Sequence, residues 1–180
     1  MKRGILISLF LIVLLGIGAL TASYFYFKNM QFRLDALHPQ VQKAKEQLIR
    51  NCQKKGIQIR ITQGLRTFEE QNSLYAQGRT KPGNIVTYAK GGQSYHNYGL
   101  AIDFVVMDPK SKKPTWNLSF DGNHNGRSDW EEVGEEGKKL GFEWGGDWQG
   151  GFRDYPHLQM TFGHSIWELY IATKLTRIFL

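Results

Sequence analysis

The chain is expected to be α+β, an antiparallel sheet with flanking helices, preceded by an N-terminal transmembrane helix. Three observations predict this. Segments with helical apolar spacing (Val41, Ala44, Leu48, Cys52) stand beside segments that alternate with period two (Ile57, Ile59, Ile61), the two periods that separate helix from half-buried strand. The 180 residues contain no internal repeat and are 41% apolar, which is enough for one domain with its own core. Gly4–Phe27 carries no charge over 24 residues, and a helix of that length spans roughly 36 Å against a hydrocarbon thickness of about 30 Å.

Lys2 and Arg3 precede the apolar run, so the positive-inside rule leaves the N-terminus in the cytoplasm and the remainder outside as a single-pass, extracytoplasmic domain. The alternative is a signal peptide cleaved near Ala19-Leu20-Thr21-Ala22-Ser23, with secretion. The run is long for a signal peptide, and Tyr24-Phe25-Tyr26-Phe27-Lys28 reads as an interfacial aromatic anchor. Residues 1–28 are therefore the anchor or signal, 29–36 a polar linker, and 37–180 the functional domain.

Pro39 suits the first turn of a helix that ends at Gly56 after Lys54 and Lys55. Ile57–Ile61 follows as a strand with one buried face. Thr67-x-x-Glu70 is a capping box for a second helix running toward Gly78, which places Arg66 on a strand-to-helix loop. Arg79–Gln93, with Pro82, Gly83, Gly91 and Gly92, is a polar loop free to move and to line a groove. Gly99–Met107 alternates as a strand, Trp130–Leu140 is a third helix stopped by Gly141, and His157–Phe162 is a strand after a glycine-rich loop. Trp167, Ile171, Leu175 and Ile178 give a C-terminal helix whose apolar face packs on the domain.

Charge excludes more than it identifies. The formal net charge is +7, and the first 28 residues hold three basic and no acidic side chains, which leaves a mild +4. No basic run is interleaved with aromatics, so nucleic acid is not an expected partner. The single Cys52 cannot form an internal disulfide, and its place on an apolar helix face makes it a buried, inert thiol. A monomer is expected.

The chemistry lies in Ser94-Tyr95-His96-Asn97-Tyr98-Gly99-Leu100-Ala101-Ile102-Asp103 and the later Asp154-Tyr155-Pro156-His157. Asp103 shares a strand face with Ala101 and Val105, and a carboxylate among apolar neighbours needs a cation or good donors in place of water. His157, Gln159 and Thr161 share the face opposite Leu158, Met160 and Phe162. Two imidazoles and a carboxylate would hold a catalytic zinc with its fourth position open. Asp154 and His157 are three apart and would face opposite sides of a straight strand. A shared site therefore needs a bend, and Pro156 makes one available.

These motifs, with Gln63-Gly64-Leu65-Arg66-Thr67, Gly141-Phe142-Glu143-Trp144-Gly145-Gly146-Asp147-Trp148 and Pro156-His157-Leu158-Gln159-Met160, resemble the VanX/VanY-like zinc peptidases. The likeness is greatest to their L-alanyl-D-glutamate peptidase branch, from about Ile59 to about Leu169. The resemblance implies a Hedgehog/D,D-peptidase-like fold and hydrolysis of peptidoglycan stem peptides. It also implies zinc ligands His96, Asp103 and His157, general base Asp154, Arg66 against the scissile carbonyl, and Ser94 in contact with substrate. Glu143 and Asp147 are the substitute bases, and Trp144 and Trp148 are core or groove wall. A D,D-carboxypeptidase or dipeptidase acting on D-Ala-D-Ala termini is the near alternative. A non-catalytic zinc-bearing module is the distant one.

Asp121–Glu132 fits the calcium-loop pattern D-x-[DN]-x-[DN]-G-x₅-E. Asp121, Asn123, Asn125, Asp129 and Glu132 would supply oxygens, joined by the Arg127 carbonyl, with Gly126 at the sharp turn. Ser128 replaces the usual apolar residue, and Trp116–Phe120 does not read as the expected leading helix.

Overall fold

A computed structural model describes Gly18, Thr21 and residues 34–178. The apolar run Gly4–Phe27, read as a transmembrane helix, lies outside the described residues apart from Gly18 and Thr21. Among the described residues no helix is long and apolar enough to cross a membrane. Residues 34–166 belong to one compact unit, and the helix beyond Ile166 belongs to a second.

In the first unit α1 (Pro39–Lys54) leads into β1 (Gln58–Gln63), α2 (Phe68–Ala76), a 3₁₀ turn at Tyr95–Tyr98, β2 (Ala101–Met107), β3 (Pro114–Thr115), α3 (Asp129–Lys139), β4 (Glu143–Trp144) and β5 (His157–Gln159). The final helix, α4, is Ile166–Ile178. All strand pairs are antiparallel, in the order β1-β2-β5-β4, with β3 also on β2. The α+β expectation agrees with this sheet.

The ends of the elements follow their caps. His38 closes the start of α1 by accepting from the Gln40 N–H at 3.3 Å, with Pro39 in the first turn. Thr67 and Glu70 form the reciprocal capping box of α2, and Ser128 accepts from the Glu131 N–H to start α3. Val41, Ala44, Leu48 and Cys52 of α1 join Ile102, Phe104, Val106, Trp130, Val133 and Leu158 in one core. Burial and the nearby Glu136 raise the Cys52 thiol pKa to about 12, as fits an inert core thiol.

Several boundaries differ from the sequence reading. The strand expected over Gly99–Met107 starts at Ala101, because Gly99 takes φ +67° to close the preceding 3₁₀ turn. A side chain at 99 would also meet the Ala36 carbonyl oxygen at 2.3 Å. The strand expected over His157–Phe162 ends at Gln159, and Phe162 takes φ +49° in the turn beyond it. The helix after Thr67 ends at Ala76, one residue before Gln77 turns extended. The two-residue strands β3 and β4 are too short to leave a periodic trace in sequence.

Candidate metal centre and its cleft

Register assembles the site. Asp103 on β2 lies directly across from His157 on β5, and Gln63 at the end of β1 lies across from Asp103 on the other side. Paired residues on neighbouring antiparallel strands project to the same face, so Asp103 and His157 meet. His96 arrives from the 3₁₀ turn that precedes β2, whose αL exit at Gly99 reverses the chain into the strand.

His96 Nε2, His157 Nδ1 and Asp103 Oδ1 form a near-equilateral triangle with sides of 3.1, 3.1 and 3.2 Å. Ligands held at about 2.0–2.1 Å in a tetrahedral array lie about 3.3 Å apart, so the triangle already has the dimensions of three coordination positions. Both rings are buried, at 2% and 7% relative exposure.

The outward ring nitrogens settle where the protons sit. His96 Nδ1 is 2.8 Å from the Gly64 carbonyl oxygen, which only accepts, so that nitrogen carries the hydrogen. His157 Nε2 is 3.0 Å from Gln159 Oε1. The Gln159 amide cannot be reversed, because its nitrogen donates to Glu143 Oε2 at 2.9 Å, and Glu143 is held in turn by the Thr161 hydroxyl at 2.9 Å. Each imidazole therefore turns a lone pair toward Asp103. Three converging lone pairs repel one another unless a cation, or a captured proton, sits among them.

Charge at the centre follows from this. Burial alone would raise the Asp103 pKa, but the close His157 and His96 rings outweigh it and hold the carboxylate well below its ordinary range. Burial likewise works to lower His157, and its contact with Asp103 prevails and raises it. A divalent cation would take the place of the proton that Asp103 draws toward His157. Asp154 is pushed up from the ordinary carboxylate value by burial and by Asp103, against His157, His96 and Arg66.

Asp154 reaches the site through the bend required of it. Residues 155–156 form a turn, the His157 N–H donates to the Asp154 carbonyl at 3.1 Å, and β5 begins only at His157. Gly145 admits the approach: the Asp154 N–H donates to its carbonyl at 3.0 Å, and a side chain there would meet the Asp154 carbonyl oxygen at 2.3 Å.

Arg66 sits between β1 and α2, with Nη2 3.6 Å from Asp103 Oδ2 and Nη1 donating to Gln71 Oε1 at 2.8 Å. Its buried Nε has no partner among the described residues. Burial lowers its pKa, opposed by Asp103, Glu70 and Asp154.

His96, Asp103, His157, Asp154, Arg66 and Ser94 all line one cleft of about 680 Å³. The Arg79–Gln93 loop supplies one wall through Ile85, Val86 and Tyr88, and Trp148 and Phe152 supply the other. The Trp148 ring lies 5.3 Å from that of His157, so Trp148 is groove wall, whereas Trp144 is buried. The substitute bases are committed elsewhere: Glu143 to Gln159 and Thr161, and Asp147 to Lys138 at 2.7 Å.

The acidic loop is partly organised. The Asp121 carboxylate accepts from the Asn125 and Gly126 N–H groups at 3.1 and 2.8 Å, and Gly126 takes φ +83° at the sharp turn. Asn125 Oδ1 accepts from the Arg127 N–H at 2.9 Å. Asp129 Oδ2 accepts from the Gly122 N–H at 3.1 Å, while its Oδ1 is buried with no partner among the described residues. Glu132 is occupied by the Asn123 and Asn125 amides at 3.2 and 2.7 Å. Among the described residues, only His96, Asp103 and His157 bring three metal-ligating atoms within reach of one ion.

An antiparallel sheet that presents two imidazoles and a carboxylate at the floor of an open cleft defines a metal-dependent hydrolase site. A peptidase family profile described as D-alanyl-D-alanine carboxypeptidase matches residues 87–160, a span that includes all three ligand candidates. The peptidoglycan L-alanyl-D-glutamate endopeptidase CwlK of Bacillus subtilis (strain 168) is 58% identical over 124 residues, 69% of this chain and 73% of CwlK. The L-alanyl-D-glutamate peptidase of Listeria phage A118 is 32% identical over 141 residues, 78% of this chain and 43% of that protein. The chain belongs to this family of M15 peptidases. The crystal structure of DacB from Streptococcus pneumoniae D39 shares the fold, with a TM-score of 0.52, 19% identity, and coverage of 81% of this chain and 74% of DacB.

Proposed function

We propose that the protein is a zinc-dependent peptidoglycan endopeptidase that hydrolyses the L-alanyl-D-glutamate bond of stem peptides. The observation that carries the metal is the convergence of three lone pairs, each fixed by an acceptor behind its imidazole or by a carboxylate charge. Two nitrogens and one carboxylate oxygen with an open side suit zinc. The choice of bond is supported by the 58% identity to CwlK.

When bound, zinc lowers the pKa of a coordinated water toward neutrality and polarises a carbonyl. Asp154 takes the proton from the attacking water and returns it to the leaving amine, a role suited by a carboxylate whose pKa burial has raised. Arg66 lines the cleft with its Nη2 3.6 Å from Asp103 Oδ2, and its charge stabilises the oxygen on which negative charge develops. Ser94 and the loop wall receive the peptide.

Mass spectrometry of purified peptidoglycan digested by the full chain with zinc, with a chelator, and with Asp154→Asn tests this reading. New amino-terminal D-glutamate, lost with chelator and with the variant, is the expected result. Release of D-alanine instead would establish the D,D-carboxypeptidase activity for which the matching family profile is described, and no new termini would leave a binding module.

Two further assignments belong to this reading. Asp121–Glu132 is proposed to take Ca²⁺, supported by the unpartnered buried Asp129 Oδ1 and the turn at Gly126. Calcium should raise the thermal midpoint of the protein, and Asp129→Ala should remove that shift. The uncharged run after Lys2 and Arg3 supports placement of the catalytic unit outside the cytoplasmic membrane. Protease accessibility in intact spheroplasts tests that placement.

A further inference from the structure

Gln71 on α2 is wholly buried, and neither the metal nor the proposed proton transfer uses it. Its Oε1 accepts from Arg66 Nη1 at 2.8 Å, and its Nε2 donates to the Ala89 carbonyl at 2.8 Å and to the Thr87 hydroxyl at 3.4 Å. The amide cannot be turned, because Arg66 offers only donors and the Ala89 carbonyl only accepts. One side chain therefore ties the guanidinium at the cleft floor to the loop that forms the cleft wall. Between the two anchored residues, Tyr88 is 78% exposed and lines the cleft.

The alternative tethers are few. The backbone of Arg66 is fixed by its N–H on the His96 carbonyl at 3.1 Å and by Asn97, whose amide donates to the Arg66 carbonyl at 2.9 Å. Among the described residues the guanidinium itself has only Gln71 and the longer contact to Asp103 at 3.6 Å. Without Gln71 the cation would close on Asp103 and compete for a metal-ligating carboxylate. Among the described residues the Thr87–Ala89 stretch keeps one other side-chain clamp, Arg79 Nη1 on the Thr87 carbonyl at 3.0 Å, while Asn72, Asn97 and Tyr98 hold the following Gly91 and Gly92.

We infer that Gln71 is a positioning residue with two separable duties: it holds the Arg66 guanidinium away from Asp103 and toward the substrate, and it fixes the Thr87–Ala89 wall against which the peptide lies. The first duty rests on Arg66 acting at the scissile carbonyl. The second does not.

Gln71→Glu separates them. The carboxylate keeps an acceptor for Arg66 but faces the Ala89 carbonyl with another acceptor. Gln71→Met, similar in shape, loses both contacts. On a soluble muropeptide, Gln71→Glu is expected to keep kcat within about twofold while KM rises about tenfold, and Gln71→Met to lose about ten- to a hundredfold in kcat as well. Tryptic nicking after Lys90, read independently of activity, should quicken in both. In an Arg66→Ala background the kcat effect of Gln71→Met should vanish. Unchanged nicking in both folded variants would overturn the wall duty, and a kcat effect that persists without Arg66 would overturn the positioning of Arg66. Should Arg66→Ala itself leave kcat unaltered, the catalytic role of Arg66 fails, while the nicking rates still decide the wall. If Gln71→Met loses its cooperative thermal transition, Gln71→Glu and its nicking rate decide the wall, and Gln71→Asn in both backgrounds decides the positioning.

Discussion

Gln159→Leu removes a group that does not reach the metal position and should nonetheless weaken metal binding. The substitution leaves His157 Nε2–H, now 3.0 Å from Gln159 Oε1, buried with no acceptor. The ring then has two options. It can keep the proton outward and bear the cost of an unsatisfied buried donor, about 1–3 kcal/mol. It can instead move the proton to Nδ1 and lose the lone pair that completes the triangle with His96 and Asp103. The cheaper option sets the loss, so affinity should fall by about five- to a hundred-and-fiftyfold, which matches the usual effect of removing a partner behind a metal-bound histidine. Competition with a chromophoric chelator measures it, with circular dichroism to confirm that the fold persists. Affinity within twofold of the parent in a folded variant would refute the claim that Gln159 fixes the tautomer.

Asp154→Asn should lower kcat by about a hundred- to ten-thousandfold and leave chelator-competed zinc affinity within a few-fold; loss of affinity as well would make Asp154 a ligand. The stabilisation given by zinc should grow as pH rises from about 5.5 to 8. In the metal-free protein the raised His157 pKa contributes stability below about pH 6.5 that disappears as pH climbs through the folded value, whereas zinc needs that proton gone. Thermal midpoints with and without zinc across this range check it, and a pH-independent difference would contradict it. Gly134→Ala on α3 gains up to about 1 kcal/mol of helix propensity, yet its new methyl carbon would fall 2.3–2.5 Å from three atoms of the Trp144 rings. Overpacking of this kind costs about 1–3 kcal/mol. Urea denaturation should show net destabilisation, and a stabilised variant would mean that Trp144 moves freely.

Much of the site was legible because its residues obey short-range rules. The alternation in Ala101–Met107 put Asp103 and Ile102 on opposite faces, and the structure pairs them with His157 and Leu158 respectively. Thr67 and Glu70 announced α2, and with it the loop that carries Arg66. The ends of strands were less legible. Gly99 and Phe162 enter the left-handed region because turns at those points serve contacts distant in sequence, and alternation alone continues the strands through them. The backing of the ligands was only half visible. Gln159 shares the face of His157 by parity, but the Gly64 carbonyl behind His96 is a main-chain group without a side-chain signature. Gln71 sits among polar helix residues, and no local pattern sets it apart from its solvated neighbours. Asn123 and Asn125 matched a calcium loop by position, yet their amides point at Glu132, a choice that sequence spacing does not determine.

On the proposed mechanism, the bend at Tyr155–Pro156 is what lets a base and a ligand lie three residues apart without sharing a fate. Had β5 begun at Asp154, parity would have turned that carboxylate to the core face beside Leu158, where a charge has no partner. Instead the turn bonded from His157 N–H to the Asp154 carbonyl lifts Asp154 out of the strand, and Gly145 gives its backbone room. His157 is thereby paired across the sheet with Asp103, while Asp154 stands in the loop before the strand and lines the cleft. A ligand must hold its geometry within a few tenths of an ångström, but a proton carrier must face first a water and then a leaving amine. The chain meets both needs by ending regular structure between the two residues, at the one proline of the motif.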